Sequence, residues 1–326
     1  MTLERVRLPG TDLDIARIGI GCEPLGGVDW GPVDERSAIA AIRKAWASGV
    51  NLFDTADVYG LGKSEEVLSR ALGPHRRDAV IVSKFGLDWR CRPGARAAIF
   101  RDSSPRRVRE ALEGSLRRLR LDCIPLYLIH WPDPEVPIED TIEALLRCRA
   151  QGKIRHLGVS NFSAALIRKA HRLHPLGAVE LHYNLLERAC ERAILPLCRE
   201  LGIGVLAYGP LAQGFLTGKY GPAARFGGGD RRARLPHFAP EKLKVNARYL
   251  ERLETLAASY RKTVSQVALR WVLDHRAVAC AIAGVKARAH AKANIGALGW
   301  ELAREDRDWA ASGGGEGRLR PRSRRA

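Results

Sequence analysis

Eight short runs of β-forming residues, each followed by a helical stretch, recur along almost all of this 326-residue chain. The runs are Ile18–Gly21, Val50–Phe53, Ala79–Ser83, Leu126–Ile129, Ile154–Val159, Ala178–Leu181, Gly204–Ala207 and Val278–Ala283. After the first comes a helix over Glu35–Ser48, with Ala38, Ile39, Ile42 and Ala45 on one face. Ser64 reads as the N-cap of a helix to Leu72, with Glu65 and Glu66 at its positive end. Further helices are expected at Arg106–Leu119, Ile138–Ala150, Ala164–Arg172, Glu191–Leu201, Val245–Ser259, Val264–Asp274 and from Ala289 onward. Strand and helix alternating eight times without a composition break predict an α/β fold, a (β/α)8 TIM barrel in one domain over 1–311. A hairpin turning at Pro9-Gly10 precedes it, and a long Gly/Arg-rich loop (Phe226–Arg234) follows the seventh strand.

A doubly wound sheet would need a glycine-rich phosphate turn after its first strand. Gly19-Ile20-Gly21 is the candidate, but Pro24 takes the place of the third glycine. With 46% hydrophobic residues the chain can bury a large core, which excludes a disordered protein. No apolar stretch approaches the roughly 18 residues of a membrane span, and the charged N-terminus lacks a secretory apolar region. Seven scattered cysteines without a C-x-x-C pair point to free thiols, to a reducing cytoplasmic compartment and to no metal site.

The net charge of +18 raises the question of nucleic acid. Arg318, Arg320, Arg322, Arg324 and Arg325 crowd the basic Gly/Arg-rich tail over 312–326, which reads as disordered. Discounting that tail, about +14 remains, spread along helices rather than in a stripe interleaved with aromatics. A small polyanionic ligand accounts for it as well as nucleic acid does.

In a parallel barrel the chemistry lies where strands end and loops begin. Polar residues there are Asp54, Lys84, His130, Ser160-Asn161, Glu180, His182, Tyr208 and Lys286. Asp54, Lys84 and His130 end different strands, so closure gathers them, and Tyr59 follows Asp54 by five residues. Taken singly, each is most simply a satisfied structural group. Together they can form an acid-base set: Lys84 lowers the pKa of the Tyr59 hydroxyl, Asp54 keeps Lys84 charged, and His130 donates to a carbonyl oxygen.

The segments NLFDTADVYGLGKSEEVL, IVSKFG, LYLIHWPDP, GKIRHLGVSNFS, YNLLER and LAYGPLAQGFLTGKY closely resemble the aldo-keto reductase family, in order and spacing, over about residues 3–302. HWPDP and YGPLAQGFLTGK most resemble its bacterial general-stress-protein-like members. The resemblance implies an NADPH-dependent reductase of aldehydes or ketones, with Tyr59 as proton donor, Lys84 and Asp54 as its tuning pair and His130 orienting the carbonyl. It implies that Ser160 and Asn161 hold the carboxamide of NADPH/NADP and that Tyr208 stacks on the nicotinamide. Gly209, Pro210, Leu211, Gly214 and Lys219 would wrap the pyrophosphate. Lys286 would meet the 2′-phosphate and Asn294 the adenine, in a segment that includes Gly284 and His290. Arg231 and Arg232 are further expected phosphate contacts.

Glu180 stands where the family usually has a carboxamide-binding Gln. It either faces the nicotinamide or turns to an arginine such as Arg188. Cys22, Ala283, His290 and Ala293 also depart from common family residues. Trp30, Trp89 and Trp131, in early loops, are either candidate walls of the substrate pocket or simple packing; Arg90 and Arg92 beside Trp89 are either part of a solvated loop or suited to an anionic or diphosphate substrate such as a nucleotide-linked keto sugar. The expected partner is a small carbonyl compound, without nucleic acid or membrane, for a monomer or a homo-oligomer. Two other readings are a regulatory NADPH-sensing barrel resembling potassium-channel β subunits, and a basic nucleic-acid-binding protein anchored by its tail.

Overall fold

The computed structural model describes residues 3–28, 30, 33–91, 97–220, 224–227 and 229–312, so the tail beyond 312 and Arg92 lie outside the described residues. Strands β3 (Ile18–Gly21), β4 (Leu52–Asp54), β5 (Val80–Phe85), β8 (Ile124–Ile129), β9 (Ile154–Ser160), β10 (Ala178–His182), β11 (Gly204–Tyr208) and β12 (Val278–Gly284) close into a barrel. Every neighbouring pair is parallel, and β12 returns to β3 through Ala281↔Ile18 and Ile282↔Gly19. This is the (β/α)8 architecture that the sequence predicts. Its strands read as near-continuous apolar runs because both faces are buried, one inside the barrel and one under helices.

The predicted hairpin is present as β1 (Arg5–Arg7) and β2 (Asp14–Ala16). Leu8, Leu13 and Ile15 from it join Leu52, Val82, Leu126 and Leu206 in the core inside the barrel. The larger core lies between the strands and the helices α1 (Glu35–Ala47), α2 (Lys63–Leu72), α3 (Pro105–Leu119), α4 (Ile138–Ala150), α5 (Ala164–Leu173), α6 (Ile194–Glu200), α7 (Pro240–Tyr260), α8 (Val264–Leu273) and α9 (Arg288–Ile295). Local chemistry fixes the helix starts. Asp34 caps α1, Ser104 caps α3 with Pro105 in the first turn, and Thr263 with Gln266 forms a capping box on α8.

Several local expectations change. Ser64 does not cap α2; it lies inside the helix, buried, donating its hydroxyl to the Cys22 carbonyl at 2.8 Å. Gly62 starts the helix with a φ of 98°, a conformation a serine would resist. Glu65 keeps its place in the first turn but is buried, accepting from Ser83 at 2.6 Å and Arg118 at 2.7 Å. The helix expected from Glu191 breaks into a 3-10 turn, Ala189–Arg192, ahead of α6. Trp89 and Arg90 lie not in a loop but on β6 (Leu87–Arg90), paired with β7 (Ala98–Arg101). A last helix, α10 (Arg304–Ala311), follows α9.

Candidate active site

Closure of the barrel gathers side chains from β4, β5, β8 and β10 around one ammonium. Lys84, fully buried, forms an ion pair with Asp54 and donates to the Thr55 carbonyl at 3.0 Å. Its Nζ also lies 3.4 Å from Glu180 Oε1 and over the Tyr59 ring, 5.2 Å from the centroid. His130 meets Tyr59 edge-on, with centroids 5.7 Å apart and planes at 83°. The turn carrying Tyr59 is held by close backbone packing: Gly60 has φ 62°, and a Cβ there would meet the Gly26 carbonyl oxygen at 2.3 Å. Thus the four residues expected to act together do lie together.

Their electrostatics differ from expectation in one respect. Burial works against the charge on Lys84, but Asp54 and Glu180 outweigh it and raise its pKa. Any lowering of the Tyr59 pKa by Lys84 is outweighed. Burial, then the carboxyls of Asp54, Glu23 and Glu180, push the phenol well above its usual 10, so it stays protonated. Burial and the nearby Lys84 hold His130 well below its usual range, hence neutral and able to donate one hydrogen bond.

Beside this cluster, Asn161 adopts φ 62° and donates to the His130 carbonyl at 3.1 Å and to Ser160 Oγ at 3.0 Å. Tyr208 donates its hydroxyl to Asn161 Oδ1 at 2.8 Å, and its ring stacks on His182 at 5.1 Å. Gly209, at φ 61°, passes so close to His182 that a Cβ would lie 2.7 Å from its ring. Glu180 is turned to Lys84; Arg188 pairs with Glu191 instead, at 2.8 Å. Pro210 is buried and Leu211 half-buried after Tyr208, and Gly214 takes φ 97° in the following turn.

Across the mouth, Trp30 forms an isolated antiparallel bridge with Asp230. Lys286 donates to the Trp30 carbonyl, and Arg231, 5.4 Å from the Trp30 ring centroid, pairs with Glu23 at 2.6 Å. Arg232 pairs with Asp230, so both arginines expected at phosphate are engaged by carboxylates. Lys219 lies over the Tyr220 ring at 5.6 Å. His290 Nδ1 accepts from the Lys286 backbone at 3.2 Å, Gly284 ends β12, and Asn294 is buried. Trp131 follows His130 with its surface partly open, 5.9 Å from Arg101. Trp89 instead covers Arg107 at 5.0 Å, and Arg90 covers Phe100 at 5.1 Å. Sequence reasoning missed Glu23, whose position after the first strand was its only signal, and the stacking of His182 on Tyr208.

Five buried polar atoms around this mouth have no hydrogen-bond partner in the protein: Trp30 Nε1, Glu180 Oε2, His130 Nδ1, Gln213 Oε1 and Asn294 Nδ2. Buried polar groups are normally satisfied. A ligand with amide and hydroxyl donors and acceptors would satisfy them, so the residues fit a nicotinamide dinucleotide. No group of three or more His, Cys, Asp or Glu able to hold a metal ion lies among the described residues. No helix among them is long and apolar enough to cross a membrane.

A closed parallel (β/α)8 barrel that gathers Asp54, Tyr59, Lys84 and His130 at its mouth has the layout of a barrel enzyme. Residues 17–310 match the Aldo/keto reductase family, and the chain belongs to it. It is similar to aldo-keto reductase YhdN of Bacillus subtilis (strain 168), 38% identical over 93% of this chain and 91% of that one. It is also similar to probable aldo-keto reductase 1 of Glycine max, 36% identical over 93% and 87%. Among solved structures, the glycerol dehydrogenase AKR11B4 from Gluconobacter oxydans superposes with a TM-score of 0.88 at 37% identity, covering 95% of this chain and 94% of that one. The holo form of aldo-keto reductase AKR11C1 from Bacillus halodurans gives 0.78 at 27% identity, covering 97% of each. The family's activity is NAD(P)H-dependent carbonyl reduction.

Proposed function

We propose that this chain reduces an aldehyde or ketone, a keto sugar included, to an alcohol with NADPH, and that Tyr59 supplies the proton. The observation that carries this reading is Lys84, buried between Asp54, Glu180 and Tyr59, with His130 edge-on to the same tyrosine. The bound nicotinamide supplies the hydride. The protein's own part is position, exclusion of water and proton delivery.

His130 is neutral, so it orients a carbonyl oxygen by a hydrogen bond rather than by charge. Tyr59 Oη holds the proton that this oxygen takes as negative charge develops on it. Asp54 keeps Lys84 charged and fixed. Ser160, Asn161 and Glu180 would hold the carboxamide, and Tyr208, braced by His182 and Asn161, would face the ring. Gly209, Pro210, Leu211, Gly214 and Lys219 would take the pyrophosphate, while Lys286, His290 and Asn294 would take the adenosine phosphate. A basic group after the last strand favours NADPH over NADH. Trp30 and Trp131 border the mouth and would wall the substrate; Trp89, stacked on Arg107, would act there only by holding the β6–β7 hairpin. Residues 1–311 act as one domain, in the cytoplasm.

The test is NADPH oxidation against a panel of aldehydes, simple ketones and keto sugars. Turnover with at least one class supports the reading. Bound NADPH that reacts once without further turnover would instead indicate a sensing barrel.

A further inference from the structure

Glu180 occupies an unusual place for a carboxyl group. It is 2% exposed, in the middle of β10, and shares Lys84 with Asp54. Asp54 makes the closer contact to Nζ, while Glu180 Oε1 lies at 3.4 Å. Glu180 Oε2 has no donor in the protein. Asp54 and Glu180 thus bring two buried carboxyl groups to the same ammonium. Two carboxyl groups that share one buried site disfavour double ionisation, so one of them keeps its proton. One ammonium balances one carboxylate; a second negative charge here would be buried without compensation.

We propose that Glu180 is protonated in the cofactor-free protein and releases that proton to solvent when the positively charged oxidised nicotinamide binds, so that the preference for oxidised over reduced cofactor depends on pH. The inference rests on the reading that Glu180 flanks the nicotinamide. The balance is simple: the carboxylic acid loses its O–H proton to buffer, and the resulting carboxylate faces the cationic ring. The reduced ring is neutral and leaves the proton where it is. In the protonated state Glu180 offers one donor and one acceptor, as a glutamine amide would.

The groups facing Glu180 support this assignment. Asp54 on β4 opposes a second charge, and Lys84 on β5 is the single nearby cation among them. Tyr59, Tyr208 on β11 and Cys280 on β12 are neutral, each held above its ordinary pKa. Glu23 and His130 act on the same cluster from the turns after β3 and β8. Burial is the largest influence on Glu180 itself, followed by Asp54, and both favour its protonated form over the opposing pull of Lys84.

The experiment is calorimetric titration of the full chain with NADP⁺ and with NADPH, in buffers of different ionisation enthalpy, which counts protons released on binding. Both cofactors carry the same titrating 2′-phosphate, so their difference isolates the ring. Wild type should release about one more proton with NADP⁺ than with NADPH, and the ratio of NADP⁺ to NADPH dissociation constants should fall about tenfold per pH unit. Glu180→Gln should abolish both effects. Equal proton release for the two cofactors, or a difference that survives in Glu180→Gln, overturns the proposal. A protein that binds neither cofactor refutes the proposed function instead. In that event infrared spectroscopy of the cofactor-free protein decides the Glu180 assignment. A protonated-carboxyl band that weakens in Glu180→Gln supports it, and an unchanged band contradicts it.

Discussion

The Lys84 ammonium lies over the face of the Tyr59 ring, 5.2 Å from its centroid, and so ties the proposed proton donor to the barrel interior. A cation over an aromatic face is attracted to the ring's electron density. Here the same cation is neutralised from behind by Asp54 and flanked by Glu180. Lys84 therefore helps fix Tyr59 in place, while burial and the nearby carboxyls keep the phenol protonated.

Replacing Lys84 tests that dual attachment. In Lys84→Met the carboxyls of Asp54 and Glu180 lose their common cation while still buried. Removing one partner of a buried ion pair costs about 3–5 kcal/mol. Protonation of a carboxyl relieves the penalty, and this is easier in acid. The variant should lose more thermal stability at about pH 8 than at about pH 5. Thermal melts of both proteins at the two values check this, and an equal loss at both counts against it.

Asp57 gives a second dependence on pH. Burial raises its pKa from 3.8 to about 8, in spite of Arg107 at 2.6 Å. The folded chain then keeps a proton that the unfolded chain releases. This contribution to stability is complete below pH 3.8 and is lost as pH rises to about 8. Asp57→Asn, which is neutral throughout, should remove that decline. Urea midpoints across this range, compared between the two proteins, provide the check; identical slopes would refute it.

Much of the barrel was legible because its strands are apolar runs and its helices, such as α1 with Ala38, Ile42 and Ala45 buried, carry periodic apolar faces. The polar residues ending those runs followed from the same pattern. The β6–β7 hairpin did not, since Leu87–Arg90 and Ala98–Arg101 are four residues each and none of the eight is buried, too short and too open for a pattern to mark them. Nor did α10, whose sequence REDRDWAA has no apolar face. Tertiary bonds hold it: Trp271 donates to the Arg307 carbonyl at 3.0 Å, and Arg307 to the Asp274 carbonyl at 2.7 Å. The turning of Glu180 to Lys84 rather than Arg188 is a choice made across the barrel, which local pattern does not encode.

Lys286 bears on cofactor choice. Its Nζ now bonds the Trp30 carbonyl, with Arg232 and Lys219 adding positive potential nearby. Lys286→Ala should weaken both cofactors slightly by loosening Trp30, and NADPH far more, because only NADPH carries the 2′-phosphate. A charge-assisted hydrogen bond contributes roughly 1.5–3 kcal/mol, or about ten- to a hundredfold in affinity. Fluorescence titration with each cofactor measures it, and equal losses would place Lys286 outside phosphate recognition.

The most direct test of the whole account is the single-turnover rate of NADPH oxidation by Tyr59→Phe with a good carbonyl substrate. The variant keeps the ring that packs against Lys84 and His130 and lacks only the hydroxyl. The account predicts a rate lower by about 10²–10⁴-fold, the usual contribution of a positioned general acid, with the NADPH dissociation constant unchanged. A variant that binds NADPH normally and keeps most of the wild-type rate would contradict it.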